Sequence, residues 1–164
     1  MAVTYKSVLM TCLLATAGCS AAPATQAPDS AAAASQGAKA SPASVVEHHV
    51  AAMQRGDLAA VMSDYADDAV VITPEGLVSD QAPAKGPGVY SGLDNAKKVF
   101  ATLTRADNMG AVKSMKTSIE PRGKDVVFLY WTQMQGTPKE VSGRDIFVVR
   151  NGKVAFQDII PNAK

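Results

Sequence analysis

The first segment of the chain with regular spacing of apolar and polar positions begins at residue 44. Mostly apolar residues recur there at the spacing of one helix face: Val46, His49, Val50 and Met53. Ser44 and Glu47 fit a capping box at the start of a helix, and Gly56 suits its end after Arg55. The pattern therefore predicts a helix from Ser44 to Arg55.

The next segments predict two further helices separated by a strand and a loop. Asp57 is a suitable cap for a short helix from Leu58 to Tyr65. The β-branched run Ala69–Thr73 predicts a strand that ends at a proline. The prolines and glycines of residues 74–92 predict a long irregular connection. Helical spacing then returns from Leu93 to Leu103.

From residue 115 onward the apolar positions follow a period of two, which is typical of strands. The predicted strands cover residues 115–119, 126–134, 141–150 and 153–160. Asn151 and Gly152 form the dipeptide favoured in a tight hairpin between the last two. Because helices come first and strands cluster later, the predicted class is α+β, with helices on one face of an antiparallel sheet.

Residues 1 to 18 carry the order of features of a signal peptide. Lys6 precedes an apolar run from Val8 to Ala15, and small residues follow. This run is too short for a helix that spans a membrane, which needs ~20 residues. The tetrapeptide from Thr16 to Cys19 resembles the bacterial lipobox, in which the cysteine becomes the lipidated first residue. The alternative is an ordinary secretory signal that is cut a few residues later.

Residues 19 to 43 are predicted to be a disordered tether. From Ser20 to Ala43 there is no Val, Ile, Leu, Met, Phe, Tyr or Trp, so the segment cannot bury enough apolar surface to fold. Ser20, directly after Cys19, favours the outer membrane over the inner one. We therefore expect a lipid-anchored domain in the bacterial cell envelope, at the outer membrane and facing the periplasm.

Composition limits the possible partners. Lys plus Arg number 16 and Asp plus Glu 15, so no basic excess is available for nucleic-acid phosphates. The two cysteines are Cys12 and Cys19, and removal of the signal peptide leaves one, so no disulfide within the mature chain is expected. His48 and His49 are adjacent and point ~100° apart on a helix, so they cannot share a metal ion. No metal and no cofactor are predicted.

Two segments carry a family resemblance. Gly56-Asp57-Leu58 with Tyr65-Ala66-Asp67-Asp68-Ala69, and the stretch from Arg144 to Val154, resemble the nuclear transport factor 2-like superfamily. That superfamily includes SnoaL-like polyketide cyclases, ketosteroid isomerases and limonene epoxide hydrolases. The resemblance covers nearly all of residues 44 to 160. It implies a cone, in which a curved sheet wraps on the long first helix and an apolar pocket opens at one end.

Asp145 is the most informative candidate in this pocket. It shares its strand face with Phe147 and Val149, which places a carboxylate on an apolar surface. In the isomerase-like pattern, this position holds a protonated aspartate that stabilises an oxyanion, and that role needs a raised pKa. The alternative is a salt bridge or a backbone hydrogen bond within the sheet.

The resemblance also implies roles for His49 and Thr73. His49 occupies the position where the isomerases have a tyrosine that donates a hydrogen bond, although a structural histidine is the alternative. If His49 and Asp145 converge, their ion pair is expected to raise the pKa of His49 and to change ligand affinity between roughly pH 5 and 8. Thr73 stands where those enzymes have the general-base aspartate, and a hydroxyl cannot serve as that base near neutral pH. Isomerisation of ketosteroids is therefore not expected.

Aromatic and acidic residues complete the candidate list. Trp131 and Tyr130 face opposite sides of one strand, so one of them should line the pocket. Tyr65 is expected to end the short helix as a buried side chain and is a further pocket candidate. Asp67 and Asp68 are interpreted as turn residues before the strand.

Three functions are compatible with this sequence. The preferred hypothesis is a lipid-anchored module whose pocket binds a small, mostly apolar molecule. The second is an isomerase-, cyclase- or hydrolase-type enzyme that uses His49 and Asp145. The third is a protein-docking or assembly module, and the sheet is also a candidate surface for a homodimer.

Overall fold

A computed structural model describes residues 40–78 and 88–163 of the chain. The predicted signal peptide, Cys19 and nearly all of the predicted tether lie outside the described residues. Within the described ranges, no helix combines the length and the apolar character needed to cross a membrane.

The described residues form four helices and six strands. In chain order they are α1 (Pro42–Arg55), α2 (Leu58–Ser63), β1 (Tyr65–Thr73), β2 (Gly88–Ser91), α3 (Leu93–Leu103), α4 (Met109–Lys113), β3 (Lys116–Arg122), β4 (Val126–Gln133), β5 (Val141–Arg150) and β6 (Lys153–Pro161). One sheet contains all six strands in the order β2-β1-β6-β5-β4-β3. The predicted α+β class, with a curved sheet wrapped on the first helix, is confirmed.

The sheet differs from the expected antiparallel arrangement at one pairing. Strand β1 runs parallel to β6, whereas the other neighbouring strands among those described are antiparallel. The predicted tight hairpin joins β5 to β6, and Asn151 and Gly152 have φ values of 54° and 77°. Both values lie in the left-handed region that such a turn requires.

Helix α1 begins earlier than the capping box predicts. The N-cap is Ser41, whose side chain accepts a hydrogen bond from the backbone N–H of Ser44. Pro42 occupies the first turn, where its fixed φ and missing N–H are tolerated. The prediction that Ser44 and Glu47 form the capping box is therefore wrong, and Ser44 lies inside the first turn.

Strand β1 begins at Tyr65, which was expected to end a helix. Helix α2 is capped by Asp57 as predicted but stops at Ser63. Tyr65 pairs with Val154 of β6, so pairing with a distant strand overrides the local helical pattern. As a result Asp67 and Asp68 are exposed residues within β1, and their interpretation as turn residues is wrong.

The connection predicted for residues 74–92 ends in a strand. Residues 79–87 lie outside the described part of the chain, and β2 follows them at the edge of the sheet beside β1. Helix α4 was not predicted, because its five residues are too few to show a helical period.

The core lies between the helices and the inner face of the sheet. Val46 of α1, Phe100 of α3 and Phe147 of β5 are each at most 1% exposed. All three belong to one core cluster that joins the helices to the sheet. An internal cavity lies beside this core, and Phe100 also lines it.

Candidate functional site

A cavity of about 200 Å³ lies between the helices and the inner face of the sheet. Most of its lining is apolar, with Met53 from α1, Leu103 from α3 and Leu129 from β4 among the contributors. Five lining residues carry a polar group: His49, Trp131, Gln133, Asp145 and Gln157. The expected apolar pocket is therefore present in the described part of the chain.

Asp145 is buried and receives two hydrogen bonds from neighbouring strands. The indole Nε1 of Trp131 on β4 donates to Oδ1 at 2.7 Å. The amide Nε2 of Gln157 on β6 donates to Oδ2, also at 2.7 Å. The open alternative of a salt bridge or backbone hydrogen bond is not realised, since both partners are neutral side chains.

The pKa of Asp145 is raised from its ordinary value near 3.8 to about 7. Burial is the main cause, because it disfavours the charged form. The hydrogen bonds from Trp131 and Gln157 oppose this rise, and the negative charge of Asp158 adds to it. Asp145 therefore exists in both protonation states near neutral pH.

Gly143 makes room for the indole that bonds Asp145. It pairs with Trp131 across β4 and β5, and a Cβ at this position would lie 2.5 Å from the indole Cζ2. Such a distance is far below van der Waals contact, so any larger residue would displace the ring. The glycine thus leaves room for the Trp131 indole, and for the Ile160 carbonyl oxygen, which would lie equally close to a Cβ.

His49 contributes a neutral imidazole to the same cavity. It is 3% exposed, and the rings of Tyr65, Phe100 and Phe147 surround it with centroids 5.3 to 5.7 Å away. Burial lowers the pKa of His49 from 6.5 to about 3, with a smaller electrostatic effect from His48. The ring is therefore uncharged at neutral pH.

The expected ion pair between His49 and Asp145 is wrong. Both side chains line one cavity, yet the ion pairs of the described residues do not include this one. The pKa of His49 moves down and not up, because burial among aromatic rings is not offset by a nearby charge. Of these two side chains, Asp145 is the one that titrates near neutral pH.

Tyr65 and Thr73 do not belong to the described residues that line the cavity. Tyr65 lies behind His49, and its hydroxyl donates to Oε1 of Gln157. Thr73 is 2% exposed at the end of β1, where it pairs with Gly88 of the edge strand. Both were pocket candidates. Neither lines this cavity, and each is instead buried against its neighbours in the sheet.

Gln157 is a site residue that the sequence did not suggest. A register shift between β5 and β6, between Val148 and Val149, places both Val154 and Gln157 on the buried face. Strict alternation from Val154 would point Gln157 outward. Alternation counted back from Ile159, which lines the cavity, places Gln157 on the cavity side of the sheet.

Other candidate residues lie away from the cavity. Tyr130 is 37% exposed on the outer face, so Trp131 is the member of this pair that lines the pocket. The half-exposed His48 places Nδ1 2.8 and 2.9 Å from the two oxygens of Asp64, which links α1 to the residue after α2. No group of three metal-ligating side chains occurs among residues 40–78 and 88–163.

The sequence profile of the SnoaL-like domain matches residues 46–157. This range runs from the first turns of α1 into β6 and includes His49, Asp145 and Gln157. The chain belongs to the SnoaL-like family. No curated protein sequence matches it.

Several solved structures share the fold of this SnoaL-like domain. A protein of unknown function with a cystatin-like fold from Methylobium petroleophilum PM1 is 13% identical, with a TM-score of 0.58 over 77% of this chain and 79% of that one. An NTF2-like protein of unknown function from Mesorhizobium loti is 15% identical, with a TM-score of 0.54 over 74% and 91% of the two chains. TerC co-crystallised with polyporic acid is 18% identical, with a TM-score of 0.54 over 74% and 92%. At such identities the likeness establishes the fold alone.

Proposed function

We propose that this SnoaL-like domain binds a small, mostly apolar molecule that makes a hydrogen bond to Asp145. The observation that carries the proposal is a buried carboxyl group in the wall of an apolar cavity of about 200 Å³. This volume exceeds the ~150 Å³ that holds benzene and is below the ~300 Å³ at which sites for drug-sized ligands begin. The favoured ligand therefore has one or two rings.

The protonation of Asp145 suits such a ligand. With its pKa at about 7, the carboxyl group donates a hydrogen bond to a carbonyl in acid and accepts one from a hydroxyl in base. TerC, which shares the fold, was co-crystallised with polyporic acid, and this supports a ligand-binding role for the cavity.

The test uses p-cresol and 4-methylacetophenone as probes, one with a hydroxyl group and one with a carbonyl group. Met53 and Met115 line the cavity and Met62 does not, so isotope-labelled methionine methyl groups report on occupancy by NMR. We expect saturable shifts at the two lining methionines and none at Met62. The absence of any saturable shift in the folded protein would refute the proposal.

A matched pair of variants on one strand locates the binding. Leu129→Phe adds volume inside the cavity, because Leu129 is 2% exposed and lines it. Tyr130→Phe changes the next residue, on the outer face of the sheet. The first variant should abolish the shifts, and the second should leave them unchanged.

A second candidate function is acid–base catalysis by Asp145. The observation that favours it is a pKa of about 7, since a general acid or base works best near the operating pH. Exchange of the α-protons of cyclohexanone in heavy water tests this chemistry. Exchange by the wild type that is lost in Asp145→Asn would support an enzyme. Exchange at the background rate with both proteins would leave ligand binding as the remaining function of the cavity.

We also propose that a lipid on Cys19 holds the domain at the outer membrane of a bacterial cell, facing the periplasm. The support is the order of residues before Cys19 and the serine that follows it. Membrane fractionation and mass spectrometry of the mature N-terminus test the anchor. Cys19→Ser should release the protein, and an unacylated mature N-terminus would contradict the proposal.

The outer face of the sheet is the proposed surface for a second copy of the chain. Tyr130 is exposed there, and the half-buried Phe128 packs against it with ring centroids 6.4 Å apart. Sedimentation should show a dimer that Tyr130→Glu dissociates. A wild type that sediments as a monomer would remove the homodimer and leave docking to another protein as the alternative use of this face.

A further inference from the structure

The buried polar groups behind the cavity form a chain from Asp145 to His49. Gln157 donates through Nε2 to Asp145 at 2.7 Å, and the Tyr65 hydroxyl donates to Oε1 of the same amide. The Tyr65 oxygen lies 3.4 Å from Nδ1 of His49. Gln157 is 1% exposed and Tyr65 and His49 are 3% exposed, so water does not replace these contacts.

The direction of this chain is determined at Asp145. Above its pKa of about 7 the Asp145 carboxylate only accepts hydrogen bonds, so at such pH Gln157 must direct its amide nitrogen toward Asp145 and its oxygen toward Tyr65. Tyr65 keeps its proton, because burial raises its pKa well above the ordinary value, and this proton goes to Gln157. The Tyr65 oxygen can therefore only accept a hydrogen bond from His49.

The same logic selects the tautomer of His49. A bare Nδ1 facing the lone pairs of Tyr65 would be repelled, whereas a protonated Nδ1 makes a long but favourable contact. Because the imidazole is neutral, its one proton on Nδ1 leaves Nε2 as an acceptor. Among the described residues every fully buried side-chain nitrogen and oxygen has a partner, and His49 bonds through Nδ1, so its Nε2 is open to the cavity.

We propose that Gln157 and Tyr65 are specificity-determining residues, which fix the His49 tautomer so that the cavity prefers ligands with a hydrogen-bond donor such as a phenol or an alcohol. The inference rests on the proposed function, since it describes the ligand of the same cavity. It adds a chemical class, because an unprotonated Nε2 of His49 favours ligands that donate a hydrogen bond over ligands that only accept one.

Asp145→Asn should reverse the direction of these hydrogen bonds between position 145 and His49. The Trp131 indole only donates, so the oxygen of Asn at position 145 must face it and the amide nitrogen must face Gln157. Gln157 then rotates its amide by half a turn and donates to Tyr65. The Tyr65 hydroxyl then donates its hydrogen bond to Nδ1 of His49. The one proton of the neutral imidazole therefore lies on Nε2. The ligand preference of the cavity changes from donors to acceptors.

Nitrogen NMR of the full chain tests the tautomer without any ligand. The chain has two histidines, and His48→Gln identifies the signals of His49. At about pH 8.5, where Asp145 is ionised, we expect an unprotonated Nε2 in the wild type and a protonated Nε2 in Asp145→Asn. A protonated Nε2 in the wild type would overturn the inference, even if the variant does not fold.

Binding of p-cresol and its methyl ether, 4-methylanisole, at the same pH tests the consequence. The wild type should bind p-cresol about tenfold more tightly, as expected for one hydrogen bond, and Asp145→Asn should lose or invert this preference. Adding Tyr65→Phe to Asp145→Asn should abolish the inversion, because the link to His49 is cut. Equal binding of the two probes by the wild type would overturn the inference. If the tautomer is as expected but neither probe binds, the proposed function fails and the inferred ligand class fails with it.

Discussion

Replacing Asp145 by Asn should change how the stability of the domain depends on pH. In the wild type the folded carboxyl group has a pKa of about 7, against an ordinary value of 3.8 in the unfolded chain. Between roughly pH 4 and 7 the folded state therefore holds a proton that the unfolded state releases, and stability falls as pH rises. At 1.36 kcal/mol for each pH unit, the complete loss is ~4 kcal/mol.

His49 acts in the opposite direction over nearly the same range. Its folded pKa is about 3, against 6.5 in the unfolded chain, so the unfolded state binds the extra proton and stability rises with pH. The gain is ~5 kcal/mol over the full range between these two values. In the wild type the two effects largely cancel between roughly pH 4 and 6.5, so the combined contribution of Asp145 and His49 to the free energy of unfolding hardly changes with pH.

Asp145→Asn removes one of the two opposing effects. Urea unfolding followed by circular dichroism between pH 4 and 8 should show the stability of the variant rising steeply to about pH 6.5, relative to the wild type. His49→Gln is the matched control and should show the opposite slope. Comparing slopes cancels any pH-independent cost of the substitutions. If the curves of the wild type and Asp145→Asn are parallel, Asp145 does not titrate near pH 7 and the reasoning is wrong.

Three further experiments test the packing of the domain. Gly143→Ala should cost ~2 kcal/mol in urea unfolding, because its Cβ would lie 2.5 Å from the indole that donates to the buried carboxyl group. Gly110→Ala has open space at its Cβ and serves as the control, so equal effects would refute the clash. Phe147→Ala removes a fully buried ring and should cost ~3 to 5 kcal/mol in the same assay, and a cost below ~1 kcal/mol would contradict its core position. His48→Ala and Asp64→Ala should show a coupling of ~1 kcal/mol in a double-mutant cycle, and additive effects would show that the 2.8 Å contact contributes nothing.

Local patterns in the sequence were sufficient for most elements. The alternation along β5 placed Asp145 on the buried face with Phe147, because a regular strand preserves its period of two. The turn at Asn151 and Gly152 followed from backbone geometry that few residues tolerate. In both cases the decisive physics lies within a few residues of the position concerned.

The incorrect predictions concern positions whose structure depends on contacts with residues far away in the sequence. Tyr65 is part of a strand because it pairs with a residue 89 positions later, which no local pattern reports. Gln157 was not predicted, because a β-bulge changes which side chains of β6 point into the core. The pKa of His49 moved down because three aromatic rings from different elements surround it. The chemistry of the site therefore depends on the assembled fold.

The energetic cost of Asp145 argues that its role is functional. The strand face around it is apolar, and a carboxyl group that ionises near neutral pH opposes folding by up to ~4 kcal/mol, a large part of the ~5 to 15 kcal/mol of a typical domain. Residues that reduce stability in this way are concentrated at functional sites. Asp145→Asn at pH 8 should therefore unfold at higher urea concentration than the wild type and lose its preference for p-cresol over 4-methylanisole. If the variant is instead less stable and keeps that preference, Asp145 serves the packing of the sheet, and the ligand must be recognised elsewhere in the cavity.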